Sequence, residues 1–149
     1  MKKFMSVLLI LFSITTPVWA NEIGITYEGS PISFDVPPFL KKDTAMVPLR
    51  AIAEKIGAQV LWSPSSEVVT INHQDQSISV AVNGTIAQKN GESISMDVAA
   101  EIVNDRVFVP LRFVGEELGL NVVWDEQSQT IALTKKAKKP AEASVYTSK

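Results

Sequence analysis

The sequence predicts an α+β domain in which β-strands, a short helix and a β-hairpin are made twice, the strands forming antiparallel sheet with the helices packed on it. Two observations carry this. Shifting the chain by 62 residues aligns 29–71 with 91–133 without a gap, and 15 of those 43 positions are identical. A repeat of that length and fidelity reports architecture before chemistry. Within each copy, the hydrophobic period changes from 3.6 to 2 at a glycine, which is the signature of a helix running into a strand.

The helices are delimited at both ends. Pro48 and Pro110 stand at the first turn, where the missing N–H costs nothing because that donor has no partner inside the helix. Leu49, Ile52, Ala53 and Ile56 then recur at i, i+3, i+4 and i+7, as do Leu111, Val114, Gly115 and Leu118. Gly57 and Gly119 follow, where a left-handed cap is wanted. Each helix is only about two and a half turns long, so packing rather than propensity must stabilise it.

Beyond each glycine, Val60 and Trp62 share one face of a strand with Leu61 opposite, and Val122 and Trp124 repeat this with Val123 opposite. Polar turns come next, Ser63–Ser66 and Asp125–Ser128, and then β-branched runs, Val68–Ile71 and Thr130–Leu133. Each pair reads as a hairpin. Upstream, Ile32, Phe34 and Val36 match Ile94, Met96 and Val98 as alternating apolar positions, and Ala45–Val47 matches Val107–Val109, which predicts two more strands per unit. Ile23, Ile25 and Tyr27 alternate as an edge strand of the first unit. Ile78, Val80 and Val82 lead into Asn83-Gly84, a strong hairpin signal, and Asn90-Gly91 is a second.

The ends of the chain differ from its middle. Met1–Ala20 has Lys2 and Lys3, an apolar run from Phe4 to Ile14, and Val18-Trp19-Ala20 as a small-residue cleavage site, the pattern of a secretory signal peptide. Ser13, Thr15, Thr16 and Pro17 leave the run short of the roughly 20 apolar residues that a membrane span needs. No transmembrane segment is expected once the leader is removed. The chain has no Cys, so an exported domain here must hold together by its core. The domain is expected over 21–134, with units of about 21–72 and 76–134. Residues 135–149 read as a disordered basic tail. The body carries 7 Lys+Arg against 15 Asp+Glu, and the tail 5 Lys against 1 Glu. An acidic body argues against nucleic acid as a partner.

Few residues offer chemistry. Arg50 and Arg112 lie in the first helical turn, where a cation opposes the helix macrodipole. The expected compensation is an arginine held by Glu54 or Glu116 one turn on, and by the acids recurring upstream, Asp35 or Asp97 and Asp43 or Asp105. The alternative is an anion or substrate clamp. Trp62 and Trp124 alternate with valines and are expected in the core, the alternative being a sugar-stacking platform. Tyr27 and Phe39 are unrepeated and are the candidates for ligand contact, though packing is the favoured reading of each. His73 is the only histidine, which leaves a metal site of usual composition short of ligands. No catalytic triad, nucleophile elbow or phosphate-cradling glycine loop is present. No catalytic residue, metal or cofactor is expected.

The repeated Val-Pro-Leu-Arg-x₃-Glu-x₂-Gly-x₂-Val-x-Trp, preceded in the second copy by Ser95-Met96-Asp97-Val98 and Asn104-Asp105-Arg106, resembles the copper amine oxidase N-terminal-like domain, also called a stalk domain. The resemblance covers about 29–134. It implies a non-catalytic α+β module at the cell envelope, frequent in exported proteins of Gram-positive bacteria. Pro48, Arg50, Glu54, Gly57 and Trp62, with Pro110, Arg112, Glu116, Gly119 and Trp124, are its motif residues and are read as structural. The first copy departs from the pattern at Pro37-Pro38-Phe39 and Lys41-Lys42. Copper chemistry is not implied, because amine oxidases place it in a large separate domain for which this chain has no room. The expected function is an exported, non-catalytic envelope module, secreted or wall-associated, that acts by interaction or as a spacer. A cell-wall polysaccharide binder is the alternative, and a hydrolase or oxidase a third class. The partner would be an envelope protein or a wall polymer.

Overall fold

Tight turns organise the chain, and a computed structural model describes them for residues 22–137. The expected leader and most of the expected tail lie outside the described residues. Four hairpins close on two residues that both take positive φ, the type I′ geometry whose twist matches that of paired strands. They are Glu28-Gly29, Lys42-Asp43, Asn90-Gly91 and Asn104-Asp105. Only Asn90-Gly91 announced itself in the sequence. Asn83-Gly84 instead sits in a longer loop, where Asn83 alone of the two is left-handed and its N–H donates to the Ala100 carbonyl at 2.7 Å.

The strands are β1 Gly24–Tyr27, β2 Ser30–Pro31, β3 Phe39–Lys41, β4 Thr44–Pro48, β5 Gln59–Ser63, β6 Val68–His73, β7 Gln76–Ala81, β8 Ile86–Lys89, β9 Glu92–Ser95, β10 Glu101–Val103, β11 Arg106–Pro110, β12 Leu120–Asp125 and β13 Thr130–Lys135. Helix α1 spans Leu49–Ile56 and α2 spans Leu111–Glu117. The fold is thus mostly β with two short helices, compatible with the α+β expectation. The strands form three sheets, ordered β12-β13-β1-β2, β10-β11-β4-β3 and β5-β6-β7-β8-β9.

Both helices start where expected. Pro48 and Pro110 end β4 and β11 and turn the chain into α1 and α2 as their N-caps. Gly57, at φ 81°, donates its N–H to Glu54 while Ala58 donates to Ala53, a paired closure of the last turn that needs a left-handed residue. Gly119 takes φ 80° just after α2.

Three expectations need correction. The segments around Ile32–Val36 and Met96–Val98 form no strands: each makes a single backbone bond at its start, Ile32 N–H to Ile25 and Met96 N–H to Thr85, and their apolar side chains still pack inward. β1 is not the edge of the first unit. It lies between β2 and β13, parallel to β13 with Ile25 opposite Ile131, so an N-terminal strand completes the sheet of the C-terminal hairpin. Trp62 and Trp124 are not in the core.

The core joins all three sheets to the helices. Ile25, Val47, Leu49, Ile52, Ile71, Ile78, Val80, Val109, Leu111, Val114 and Leu133 are almost fully buried in one cluster. In the central sheet, β4 and β11 run antiparallel with Val47 opposite Val109. Both valines face the main core, while Met46 and Phe108 project the other way into a smaller cluster with Val98 and Phe39. Each helix packs on both central strands as well as on the strand that follows it.

Candidate functional site

The polar residues shared by the two aligned segments of the sequence converge on two clefts. Six of the 15 identities between the halves are polar, and five of those six pairs, all but Ser66 and Ser128, line a cleft. The first cleft has a volume of about 1030 Å³ and is lined by Ser33, Asp35, Arg50, Glu54 and Trp62, with Asp105 from the other half. The second, of about 700 Å³, is lined by Ser95, Asp97, Arg112, Glu116 and Trp124, with Asp43 from the other half. Volumes of this size suit small or oligomeric ligands.

Each cleft is a composite. One wall is a helix and the strand after it, α1 with β5 or α2 with β12. The opposite wall is a hairpin from the other half: Ile102, Asp105 and Arg106 of β10–β11 face α1, and Leu40, Asp43 and Thr44 of β3–β4 face α2. The β4–β11 pairing brings them together. Asp43 and Asp105 stand in the two-residue turns at φ 60° and 62°, a region that Asp and Asn tolerate better than most residues.

The indoles are 37% and 49% exposed, Trp62 and Trp124 respectively. Alternation does put each on the same face as the inward valine two positions earlier. A residue two places along a strand lies about 7 Å farther on, however, and there the cleft rather than the packed helix faces the ring. The sequence period is met; the core ends before it. Leu40, at 64%, and Ile102, at 44%, are also exposed, so each cleft sets an exposed indole on one wall and an exposed aliphatic chain on the other.

The arginine ties expected from the sequence form only in part. Arg50 lies 3.9 Å from Glu54, both side chains well exposed, a contact of little energetic weight. Asp35 does not hold Arg50: its Oδ2 accepts from Arg106, with Nε at 3.0 Å. The Arg106 hydrogen bonds hold the Asp35 carboxyl below the ordinary carboxylate range. Among the described residues Arg112 and Asp97 enter no ion pair; for Asp97 the reason is that the position corresponding to Arg106 is Thr44. Asp35, Asp105 and Arg106 belong to the site although the sequence offered the two aspartates only as partners for Arg50 and Arg112, and Arg106 only within the Asn104-Asp105-Arg106 motif.

Tyr27 and Phe39, the candidates for ligand contact with packing as the favoured reading, line neither cleft. Tyr27 is half-buried against the main core, and the Phe39 ring lies 5.0 Å from that of Phe108.

These features sit within a region matched by a family model, that of the copper amine oxidase N-terminal domain, over residues 26–133. The chain belongs to this family. Among curated proteins, none matches the chain. The copper amine oxidase N-terminal domain is a non-catalytic, stalk-like domain. The copper of the family name has no donor set here. His73, at the end of β6, is the single histidine, and among the described residues no group of three or more His, Cys, Asp or Glu is gathered where it could hold an ion. The side chains present do not fit a copper centre. No helix among the described residues is long and apolar enough to cross a membrane.

Proposed function

We propose that this protein is an exported, non-catalytic module of the cell envelope that works by binding a wall polymer, and that its binding surface is the pair of clefts. The observation that carries this reading is the convergence of the duplicated polar side chains on two open clefts, each with a half-exposed indole. A scaffold contact repeated for packing alone would be buried. Exposed aromatic rings flanked by carboxylates and a guanidinium offer an apolar face and several directional hydrogen-bond partners, which is what a sugar ring requires.

The module is two copies of one unit in this reading. Supporting it are the aligned halves, the 62-residue spacing of β3 and β4 from β10 and β11, and the facing of Val47 by Val109. The leader-like first 20 residues support export. The spacer role is the second reading, supported by the family's stalk-like character.

The test is sedimentation of the chain from Asn21 onward with purified cell walls. Wild type is expected in the pellet, and the Trp62→Ala/Trp124→Ala double variant in the supernatant while keeping its far-UV spectrum. Equal pelleting of the two would remove the clefts as the binding surface, and a protein found wholly in the cytoplasm on fractionation would remove the envelope reading.

A further inference from the structure

The two clefts share their shape and their duplicated side chains but not their charge. In the Trp62 cleft, Asp35, Glu54 and Asp105 are matched by Arg50, Lys55 and Arg106, and Asp35 is bound by Arg106. In the Trp124 cleft the positions corresponding to Lys55 and Arg106 are Glu117 and Thr44. Glu117 is engaged by Lys89 at 2.9 Å. That leaves Asp43, Asp97 and Glu116 facing Arg112 alone within the lining, a net negative cleft beside an exposed indole.

We propose that the Trp124 cleft is selective for a glycan bearing free, protonated amines, of which a β-linked glucosamine polymer is the model. This rests on the envelope reading above and adds the ligand class. The apolar face of the pyranose lies between Trp124 and Leu40. The ammonium group, attracted by the carboxylates and by the indole face, is received by Asp97, whose counterpart in the other cleft, Asp35, is bound by Arg106, and by Asp43 at the turn of the opposite hairpin. An acetylated sugar offers the same ring without the charge, so the selectivity is electrostatic and weakens with salt. The Trp62 cleft, with its carboxylates matched by cations, has no such preference.

The experiment is calorimetric titration of the chain from Asn21 onward with a glucosamine oligomer, the fully N-acetylated oligomer and oligolysine. The glucosamine oligomer is expected to bind most tightly, with affinity falling as NaCl is raised. Asp97→Asn is expected to weaken it roughly tenfold, the loss that follows from removing one charged hydrogen-bond partner, and Trp124→Ala by a similar factor through loss of the ring that stacks on the sugar and attracts the ammonium. Asp43→Asn keeps a residue that accepts the left-handed turn and weakens binding in the same direction. Thr44→Arg gives Asp97 the partner that Asp35 has and is expected to erase the preference for the amine form. Glu126→Gln, a carboxylate outside both clefts, controls for net charge and is expected to leave the titration unchanged. Equal affinity for amine and acetylated oligomers would overturn the proposal. Tight binding of oligolysine would do so in favour of a basic peptide. Walls that still pellet the protein while the glucosamine oligomer does not bind would sink this inference and leave the envelope reading standing.

Discussion

Replacing Gly115 with alanine sets two effects of known size against each other. Gly115 is buried in α2, and a Cβ built on it would stand 2.6 Å from Val122 Cγ2 and 3.9 Å from Leu133 Cδ2. The first distance is far inside van der Waals contact, and the atom it meets is a short branched side chain on β12, which cannot swing away as a lysine tip could. Overpacking of this kind costs about 1–3 kcal/mol. Alanine in a helix interior is favoured over glycine by about 1 kcal/mol. The net expectation is a loss of about 1 kcal/mol, seen as a melting point lower by about 4 °C in a domain of this size. Urea denaturation should show a lower midpoint at unchanged slope. The clash is specific, so Val122→Ala should couple favourably with Gly115→Ala: the double variant loses less than the two single losses added together. The corresponding residue in α1 is Ala53, fully buried, so a methyl is accommodated there. If Gly115→Ala raises stability by the propensity difference, α2 is free to move off β12 and the reasoning from close approach fails.

Two further outcomes follow from the same structure. Trp62→Ala and Trp124→Ala should each cost about 1–2 kcal/mol, since roughly half of each ring's apolar area is already in water; denaturant titrations giving the 3–5 kcal/mol of a buried aromatic would return them to the core. Acid should act through Asp35, held low by Arg106, and Asp125, held low by Ser128 and by the Gln127 N–H. Both carboxyls have folded values below their unfolded ones, so their contribution is fully present above the unfolded value and is lost as the pH falls through the folded value. Melting points should therefore be insensitive to these two groups between pH 5 and 7, on the ordinary carboxylate scale of about 4, and should fall below that. Asp35→Asn should flatten the fall, and an unchanged acid profile would remove the Asp35–Arg106 pair from the account.

What the sequence determined by itself was local. The period of 3.6 bounded by Pro48 and Gly57, and by Pro110 and Gly119, is written within a dozen residues, and both helices lie there because backbone geometry at proline and glycine depends on little else. The alternation after each glycine identified β5 and β12 and the inward face of each, since a strand's two faces are set by parity alone. Only the tertiary structure decided the rest. Parity could not say how far along that face the core extends, so both tryptophans emerged in clefts. Neither could it say that β4 pairs with β11 or that β1 lies parallel to β13, because those ladders join residues 60 or more positions apart and depend on which surfaces remain uncovered once the local elements exist. The clefts are products of that long-range pairing: Asp43 and Asp105 each reach a cleft whose helix belongs to the other half, and no short stretch of chain contains both walls.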